Sequence, residues 1–270
     1  MDLSGVPMSK DVRPSLFEVE AAHFRVPGRS IIENLNLTIE QGEVTGLIGP
    51  NGSGKSTLIK MLARQQAADR GTIRFLGQDI GVDTDRTFAR KLAYMPQFMP
   101  TTDGMTVEEF VALGRFPWHG TFGRFTATDA RKVEEAMAQT GVEAFRNRIV
   151  DTLSGGERQR VWLAMLLAQD TKCLLLDEPT SALDISHQAE MLELVHRLAH
   201  ERALSVVIVL HDINMAARIC DRLVALGHGR LVADGVPSEI MQTEVLERIY
   251  GISMGIFTNP SNGTPVGYVL

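Results

Sequence analysis

The sequence predicts an α/β fold: a nucleotide-binding core with an antiparallel β subdomain and an inserted α-helical subdomain. Three observations predict it. Strand and helix signals alternate before residue 98 and resume after residue 155. Between them the chain changes to helical periodicity broken by turns. The glycine-rich run Gly49-Pro50-Asn51-Gly52-Ser53-Gly54-Lys55-Ser56-Thr57 stands between an apolar strand-like stretch, 44–48, and the opening of a helix, 56–63.

Taken in order, 16–24 and 32–40 read as antiparallel strands around the turn signal Pro27-Gly28-Arg29. Short strands follow at 71–76 and 92–96. The insertion holds helices over 106–114, with Glu108 and Glu109 in its first turn, and over 127–141. An aromatic-rich loop, Arg115-Phe116-Pro117-Trp118-His119-Gly120, lies between them. Alternation then returns with a buried strand at 173–177, a helix at 186–201 and a second buried strand at 205–210. A hairpin at 223–226 and 230–234 turns on Gly227-His228-Gly229, and 238–250 is a closing helical segment before an irregular tail. The expected organisation is a disordered lead-in over 1–14, a nucleotide-binding domain over 15–240 with its helical subdomain at about 98–155, and a C-terminal helical segment and tail over 241–270.

The 270 residues fit one such domain, with no internal repeat. A net charge of −6 opposes non-specific nucleic-acid binding, which needs positive surface to displace counterions. Two cysteines, Cys173 and Cys220, imply no disulfide framework. No apolar run approaches the ~20 residues that span a bilayer, so work at a membrane would need a partner to hold the chain there.

The run from Gly49 to Thr57 spells G-x-x-x-x-G-K-[ST], the phosphate-binding loop of P-loop NTPases with their RecA-like core. Glycines let backbone N–H groups turn inward on a phosphate, and the helix N-terminus adds about half a positive charge behind them. Lys55 is expected on the terminal phosphates of ATP and the Ser56 hydroxyl on Mg²⁺. The segment Leu174-Leu175-Leu176-Asp177-Glu178 ends a buried strand in two acids. Asp177 is positioned as the metal-side carboxylate and Glu178 as the base that polarises attacking water.

A second anion-fit helix N-terminus follows Leu153-Ser154-Gly155-Gly156-Glu157-Arg158-Gln159-Arg160. Two phosphate-binding helix ends in one chain suggest a ligand shared between two copies. The run L-S-G-G-E-R-Q-R resembles the signature of ATP-binding cassette (ABC) ATPases over roughly residues 16–240. That resemblance implies head-to-tail homodimers, each ATP lying between one P-loop and the partner's Leu153, Ser154, Gly155, Gly156 and Glu157. It implies Gln97 as the Q-loop glutamine touching the metal with Ser56 and Asp177. Ser181, Ala182, Leu183 and Asp184 match the D-loop at the dimer seam, and His211 the switch histidine at the γ-phosphate. Members of the family place an aromatic residue against adenine; Phe24 and Val26 are the two candidates here, and neither matches the pattern squarely.

A closer likeness runs through Phe24-Arg25-Val26-Pro27-Gly28-Arg29, Gly114-Arg115-Phe116-Pro117-Trp118-His119-Gly120, Val195-His196-Arg197-Leu198, His211-Asp212-Ile213-Asn214-Met215-Ala216-Ala217 and Ile249-Tyr250-Gly251-Ile252. These segments resemble the ATPase subunit of ferric siderophore importers, nearest the ferric hydroxamate type. The implied setting is the cytoplasmic face of a bacterial inner membrane, held by integral-membrane permease subunits that receive cargo from a periplasmic siderophore-binding protein, with no nucleic acid involved. Phe116 and Trp118 either anchor the permease or pack the helical subdomain. Importers of another iron chelate, haem or vitamin B12 are the alternative cargo reading. A nucleic-acid-associated ABC ATPase is disfavoured because coiled coils, zinc modules and large insertions are missing from the sequence.

Overall fold

The computed structural model describes residues 13–120, 123–181, 183–261 and 263–270. Strands β1 (Ser15–Val26) and β2 (Arg29–Glu40) form a long antiparallel hairpin, and β3 (Val44–Ile48) leads through the P-loop into α1 (Lys55–Leu62). Then come β4 (Arg70–Phe75), β5 (Gln78–Asp79), α2 (Asp85–Ala89) and β6 (Leu92–Met95). The insertion carries α3 (Val107–Ala112), α4 (Phe116–His119) and α5 (Ala127–Thr140), and α6 (Gly155–Ala168) returns the chain to β7 (Cys173–Leu176). The remaining core elements are α7 (Ile185–Arg202), β8 (Ser205–Val209), α8 (Ile213–Ile219), β9 (Arg222–Gly227) and β10 (Arg230–Gly235). The chain closes through α9 (Pro237–Ile240), α10 (Thr243–Tyr250), β11 (Met254–Thr258) and β12 (Pro265–Val269).

Two sheets organise these elements. One runs β2-β1-β4-β5 and is antiparallel; the other runs β10-β9-β3-β8-β7-β6, parallel except for its β10 edge. Parallel strands covered on both faces read as continuous apolar runs, which is why Cys173–Leu176 and Ser205–Val209 carry almost nothing else. Their side chains alternate with the period of two that a strand imposes. Leu174, Leu176, Val206 and Ile208 enter the core shared with the inserted helices. Leu175, Val207 and Val209 enter a second core, closed by α1 and by Phe17, Val19 and Ile39 of the antiparallel sheet. Helix α1 is thus clamped between the two sheets, and the P-loop at its start inherits that rigidity.

The inserted helices begin where the sequence caps them. Thr106 with Glu109, Thr126 with Asp129 and Ser154 with Glu157 each form a reciprocal capping box. Phe110 meets Trp162 edge-on at 4.8 Å between ring centres, packing α3 against α6. A buried ion pair locks the insertion: Arg115 Nε donates to Asp129 Oδ1 at 2.9 Å and Arg115 Nη1 to the Ala168 carbonyl at 2.8 Å.

Three sequence expectations change. The aromatic segment from Arg115 to Gly120 is not an irregular loop but a 3₁₀ turn, Leu113–Arg115, running into α4. The closing helical segment is two helices, α9 and α10. The tail is not irregular: β11 pairs with β12 from Met254 opposite Val269 to Thr258 opposite Pro265. The Asn214 side chain pins this hairpin, accepting from Gly267 N at 2.8 Å and donating to Gly267 O at 3.0 Å. The expected lead-in lies outside the described residues except for Arg13 and Pro14.

Burial alone would raise the Asp129 carboxyl, but hydrogen bonds from Thr126 and from Arg115, with the Arg115 charge, outweigh it and hold the group down at about 2. A folded-state value below the unfolded one, near ~3.9, stabilises the protein fully above that unfolded value, and the benefit fades as pH falls toward about 2. Urea midpoints of the wild type and Asp129→Asn are therefore expected to be well separated at neutral pH and to converge in that acid window. Arg115→Met, which strands a buried carboxylate, is expected to cost about 3–5 kcal/mol at neutral pH.

Candidate functional site

The P-loop leaves the end of β3 and turns inside a crowded space. Gly49 stands at φ 132°, and a Cβ there would lie 2.1 Å from the Leu226 carbonyl oxygen. Gly54, at φ 105° ahead of α1, would press a Cβ to 2.7 Å from Ile32 Cδ1. Both positions need left-handed backbone and no side chain, so glycine is dictated twice over. Lys55 is only 4% exposed, and its Nζ donates to the carbonyls of Gly49 at 2.9 Å and Pro50 at 3.1 Å. Burial lowers its pKa, while the Glu178 and Asp177 charges pull the other way.

A cleft of ≈ 230 Å³ opens over this loop, lined by Asn51, Gly52, Gly54, Lys55, Ser56 and Thr57 together with Arg29, Ile31, Glu178 and His211. The loop, the base candidate and the histidine thus converge from three separate parts of the sequence. Arg29 and Ile31 were not anticipated. Arg29 Nη2 donates to the Gly52 carbonyl at 3.3 Å, placing a guanidinium beside the phosphate loop. Phe24 packs half-buried against the second core and Val26 is 41% exposed; neither lines the cleft.

Asp177 and Glu178 sit together at the tip of β7 in contrasting surroundings. Asp177 is fully buried, and neither of its carboxylate oxygens has a hydrogen-bond partner. Burial raises its pKa, with the Ser56 hydroxyl and the Lys60 charge opposing. A buried carboxylate without donors, influenced by a hydroxyl from the P-loop helix, is a hard-oxygen set that fits Mg²⁺. Tyr94 belongs to the same surroundings: burial and the Asp177 charge push its hydroxyl up to about 12.

Glu178, by contrast, is held on both oxygens. Gln97 Nε2 donates to Oε2 at 2.6 Å, and His211 Nε2 stands 2.7 Å from Oε1. Its backbone is at φ 52°, a region that costs a non-glycine residue of order 1–2 kcal/mol. Its side chain lines the P-loop cleft. Gln97, expected at the metal with Ser56 and Asp177, engages Glu178 and not Asp177.

The second helix end is elsewhere. Ser154 caps α6: its Oγ and backbone N both donate to Glu157 Oε2 at 2.8 Å. The Ser154 backbone and side-chain hydrogen bonds lower the Glu157 pKa. Leu153 is buried beneath, while Ser154 and Gly155 are exposed and Gly156 half-exposed. None of Leu153, Ser154, Gly155, Gly156 or Glu157 lines the P-loop cleft of the same chain. Gly156 abuts His187, whose Cδ2 would lie 3.0 Å from an added Cβ. Asp184 Oδ1 accepts from His187 N at 3.0 Å, from Ser186 Oγ at 2.9 Å and pairs with His187 Nδ1 at 2.8 Å, holding the Asp184 carboxyl at about 2. Ser181 and Leu183 follow in turn conformation, their N–H groups donating to Glu178 O and Thr180 O. Ala182 lies outside the described residues.

The family model described as ABC transporter matches residues 32–181. The chain is 44% identical over 237 residues to the ferric enterobactin transport ATP-binding protein FepC of Escherichia coli (strain K12), covering 88% of each. It is 41% identical over 238 residues to the iron(3+)-hydroxamate import ATP-binding protein FhuC of Bacillus subtilis (strain 168), again 88% of each. Among solved structures, one of a metal-chelate type ABC transporter in an inward-facing conformation superposes with a TM-score of 0.82 at 25% identity, covering 95% of this chain and 98% of that one. A dimeric post-hydrolysis ATP-binding cassette bound to ADP and Pi superposes at 0.71 and 26% identity, covering 82% of this chain and 98% of that one.

Two substitutions probe this geometry. Lys55→Ala removes the buried ammonium, and a strong loss of ATP affinity or turnover is expected, read by nucleotide binding and phosphate release. Glu178→Gln keeps the shape but not the base, so turnover is expected to fall by about 10²–10⁴-fold with ATP binding intact. Wild-type turnover in the glutamine variant would remove Glu178 from the role.

Proposed function

Because the chain belongs to the ATP-binding subunits of ABC transporters, whose ATP hydrolysis energises transport, we propose that it powers import of a ferric siderophore, with ferric hydroxamates as the first candidate cargo. Relatives named for enterobactin, hydroxamate and petrobactin import lie at 44%, 41% and 45% identity, which supports the ferric-siderophore class. The hydroxamate choice rests on the segment likeness through the Arg115–Gly120 region and the stretch after His211. The ATPase has no contact with cargo in this scheme, so specificity lies in the permease and the periplasmic siderophore-binding protein. The working place is the cytoplasmic face of the inner membrane, held by the permease, without nucleic acid. The cassette occupies 15–240, with the helical subdomain at 98–155 as its permease-facing part and 241–270 as a C-terminal appendage.

One observation carries the dimeric mechanism: the P-loop cleft is complete on one side with Lys55, Ser56, Glu178 and His211, yet the anion-fit end of α6 lies outside it in the same chain. A second copy, placed head to tail, brings its Ser154, Gly155 and Gly156 onto the γ-phosphate, with Ser181 to Asp184 at the seam. Lys55 and the loop N–H groups hold the β- and γ-phosphates. Ser56 and Asp177 would hold Mg²⁺, which offsets phosphate charge when bound. Gln97 would be a further holder of that ion, and release of its hydrogen bond to Glu178 Oε2 leaves that carboxylate oxygen free to take the proton of the attacking water. His211 keeps the other oxygen oriented and faces the γ-phosphate. ATP bound across the seam supplies the differential affinity that closes the dimer and moves the permease.

The permease-facing aromatics divide by environment. Trp118 is occupied: its Nε1 donates to Gln169 O at 2.7 Å, and the Arg90 and Arg115 guanidinium groups lie 5.1 and 5.0 Å from its ring. Phe116 is 51% exposed beside a cleft of ≈ 590 Å³ bordered by Arg86, Pro117 and His119, which supports it as the anchor.

Ser154→Arg is expected to bind ATP normally in the isolated chain and to abolish turnover in the dimer; loss of ATP binding by the monomer would contradict trans action. Phe116→Ala is expected to leave basal hydrolysis unchanged and to lower ATPase in the reconstituted complex. In that complex, ATPase stimulation by a binding protein loaded with a ferric hydroxamate, compared with a ferric catecholate, tests the cargo assignment. Stimulation by the catecholate alone would overturn it.

A further inference from the structure

The C-terminal part of α7 carries His196 and His200, one turn apart and therefore on one face of the helix. Opposite them stands Asp221, just ahead of β9. One ligand atom from each of the three lies within 4.8 Å of the others. The His196 and His200 rings are 4.3 Å apart between centres, and His200 Nε2 is 3.3 Å from Asp221 Oδ1.

The hydrogen bonds around this trio decide where its lone pairs point. His196 Nδ1 is 2.7 Å from the Ile219 carbonyl, and His200 Nδ1 is 2.9 Å from the His196 carbonyl. A carbonyl only accepts, so each Nδ1 carries a proton and Nε2 is the nitrogen left on each ring to serve as a ligand. Asp221 is oriented as well, its Oδ2 accepting from Val44 N at 2.8 Å, which leaves Oδ1 for the trio. A bare lone pair facing a carboxylate oxygen at 3.3 Å is repulsive, so either a proton or a metal cation belongs between His200 Nε2 and Asp221 Oδ1. Backbone carbonyls fixing imidazole tautomers are also the supporting contacts that metal-ligating histidines make.

We propose that His196, His200 and Asp221 form a binding site for a first-row divalent transition-metal ion of the Zn²⁺ or Fe²⁺ kind. Two imidazoles and one carboxylate with open positions suit such ions and are poor ligands for Mg²⁺. Ligand atoms around a tetrahedral ion with bonds of about 2.0–2.1 Å stand about 3.3–3.4 Å apart; the His200–Asp221 edge already has this length. The site is separate from the ATP cleft. Asp221 adjoins Val44 at the start of β3, whereas the P-loop leaves that strand's other end. A bound ion would strap the end of α7, whose start is capped by Asp184, to the junction between α8 and β9. The assignment does not depend on which cargo is imported.

The test is a titration of the tag-free full chain with Co²⁺ in excess Mg²⁺, followed by displacement with Zn²⁺. One equivalent of Co²⁺ with visible d–d absorption is expected, and Zn²⁺ is expected to raise the melting temperature. His200→Gln and Asp221→Asn are each expected to weaken binding tenfold or more and to remove the thermal shift, with circular dichroism and ATP binding unchanged. If the folded wild type binds no Co²⁺, the trio is a proton-held ion pair and the proposal fails. It fails equally if Co²⁺ binds wild type, His200→Gln and His196→Gln with the same affinity.

Discussion

Two adjacent carboxylates at the tip of β7 face opposite electrostatic demands. Asp177 is buried without a donor, and a charge so placed is tolerable only with a cation at hand. Glu178, one residue on, has a donor at each oxygen, a strained backbone and a side chain that lines the cleft. Much of the fold serves that difference. The two cores bury β7 on both faces, α1 brings Ser56 and Lys55 to the same end of the sheet, and β8 delivers His211 beside Glu178.

The clamp on Glu178 links chemistry to the inserted helices. Gln97 follows β6 and begins the segment leading into the inserted helices, so its hydrogen bond to Glu178 ties that segment to the tip of β7. The inserted helices share one core with a face of the parallel sheet, and the Arg115–Asp129 pair ties their first half to α5 and α6. The D-loop is coupled in a different way: Asp184 caps α7 and binds His187, whose ring lies against Gly156 of the α6 N-terminus. The α6 N-terminus and the start of α7 are thereby held in register with each other.

The same helix α7 carries the histidine pair at its far end. Its cap, Asp184, lies beside the α6 N-terminus and its last turns lie where Asp221 bonds Val44. An ion there would act on the rigidity of the scaffold rather than on the reacting phosphate, as the distance along β3 requires.

What the sequence by itself determined is the set of local devices. A phosphate loop works through consecutive backbone N–H groups, a capping box through residues three apart, and a doubly buried strand through an unbroken apolar run. Each leaves a contiguous trace, so Gly49 to Thr57, Ser154 with Glu157, and Leu174 to Glu178 were legible in place. Only the tertiary structure decided contacts whose partners are far apart in the chain. Arg29 reads as a turn residue until it meets Gly52. Gln97 and His211 meet only across Glu178, and His196 and His200 meet Asp221 only where α7 passes the start of β9. The tail hairpin was missed for the same reason. Its five-residue strands, broken by Pro265 and two glycines, carry little pattern of their own, and Asn214 from α8 supplies the hydrogen bonds that hold Gly267. Hydrogen bonds between distant residues have no sequence period, so the folded chain alone reveals them.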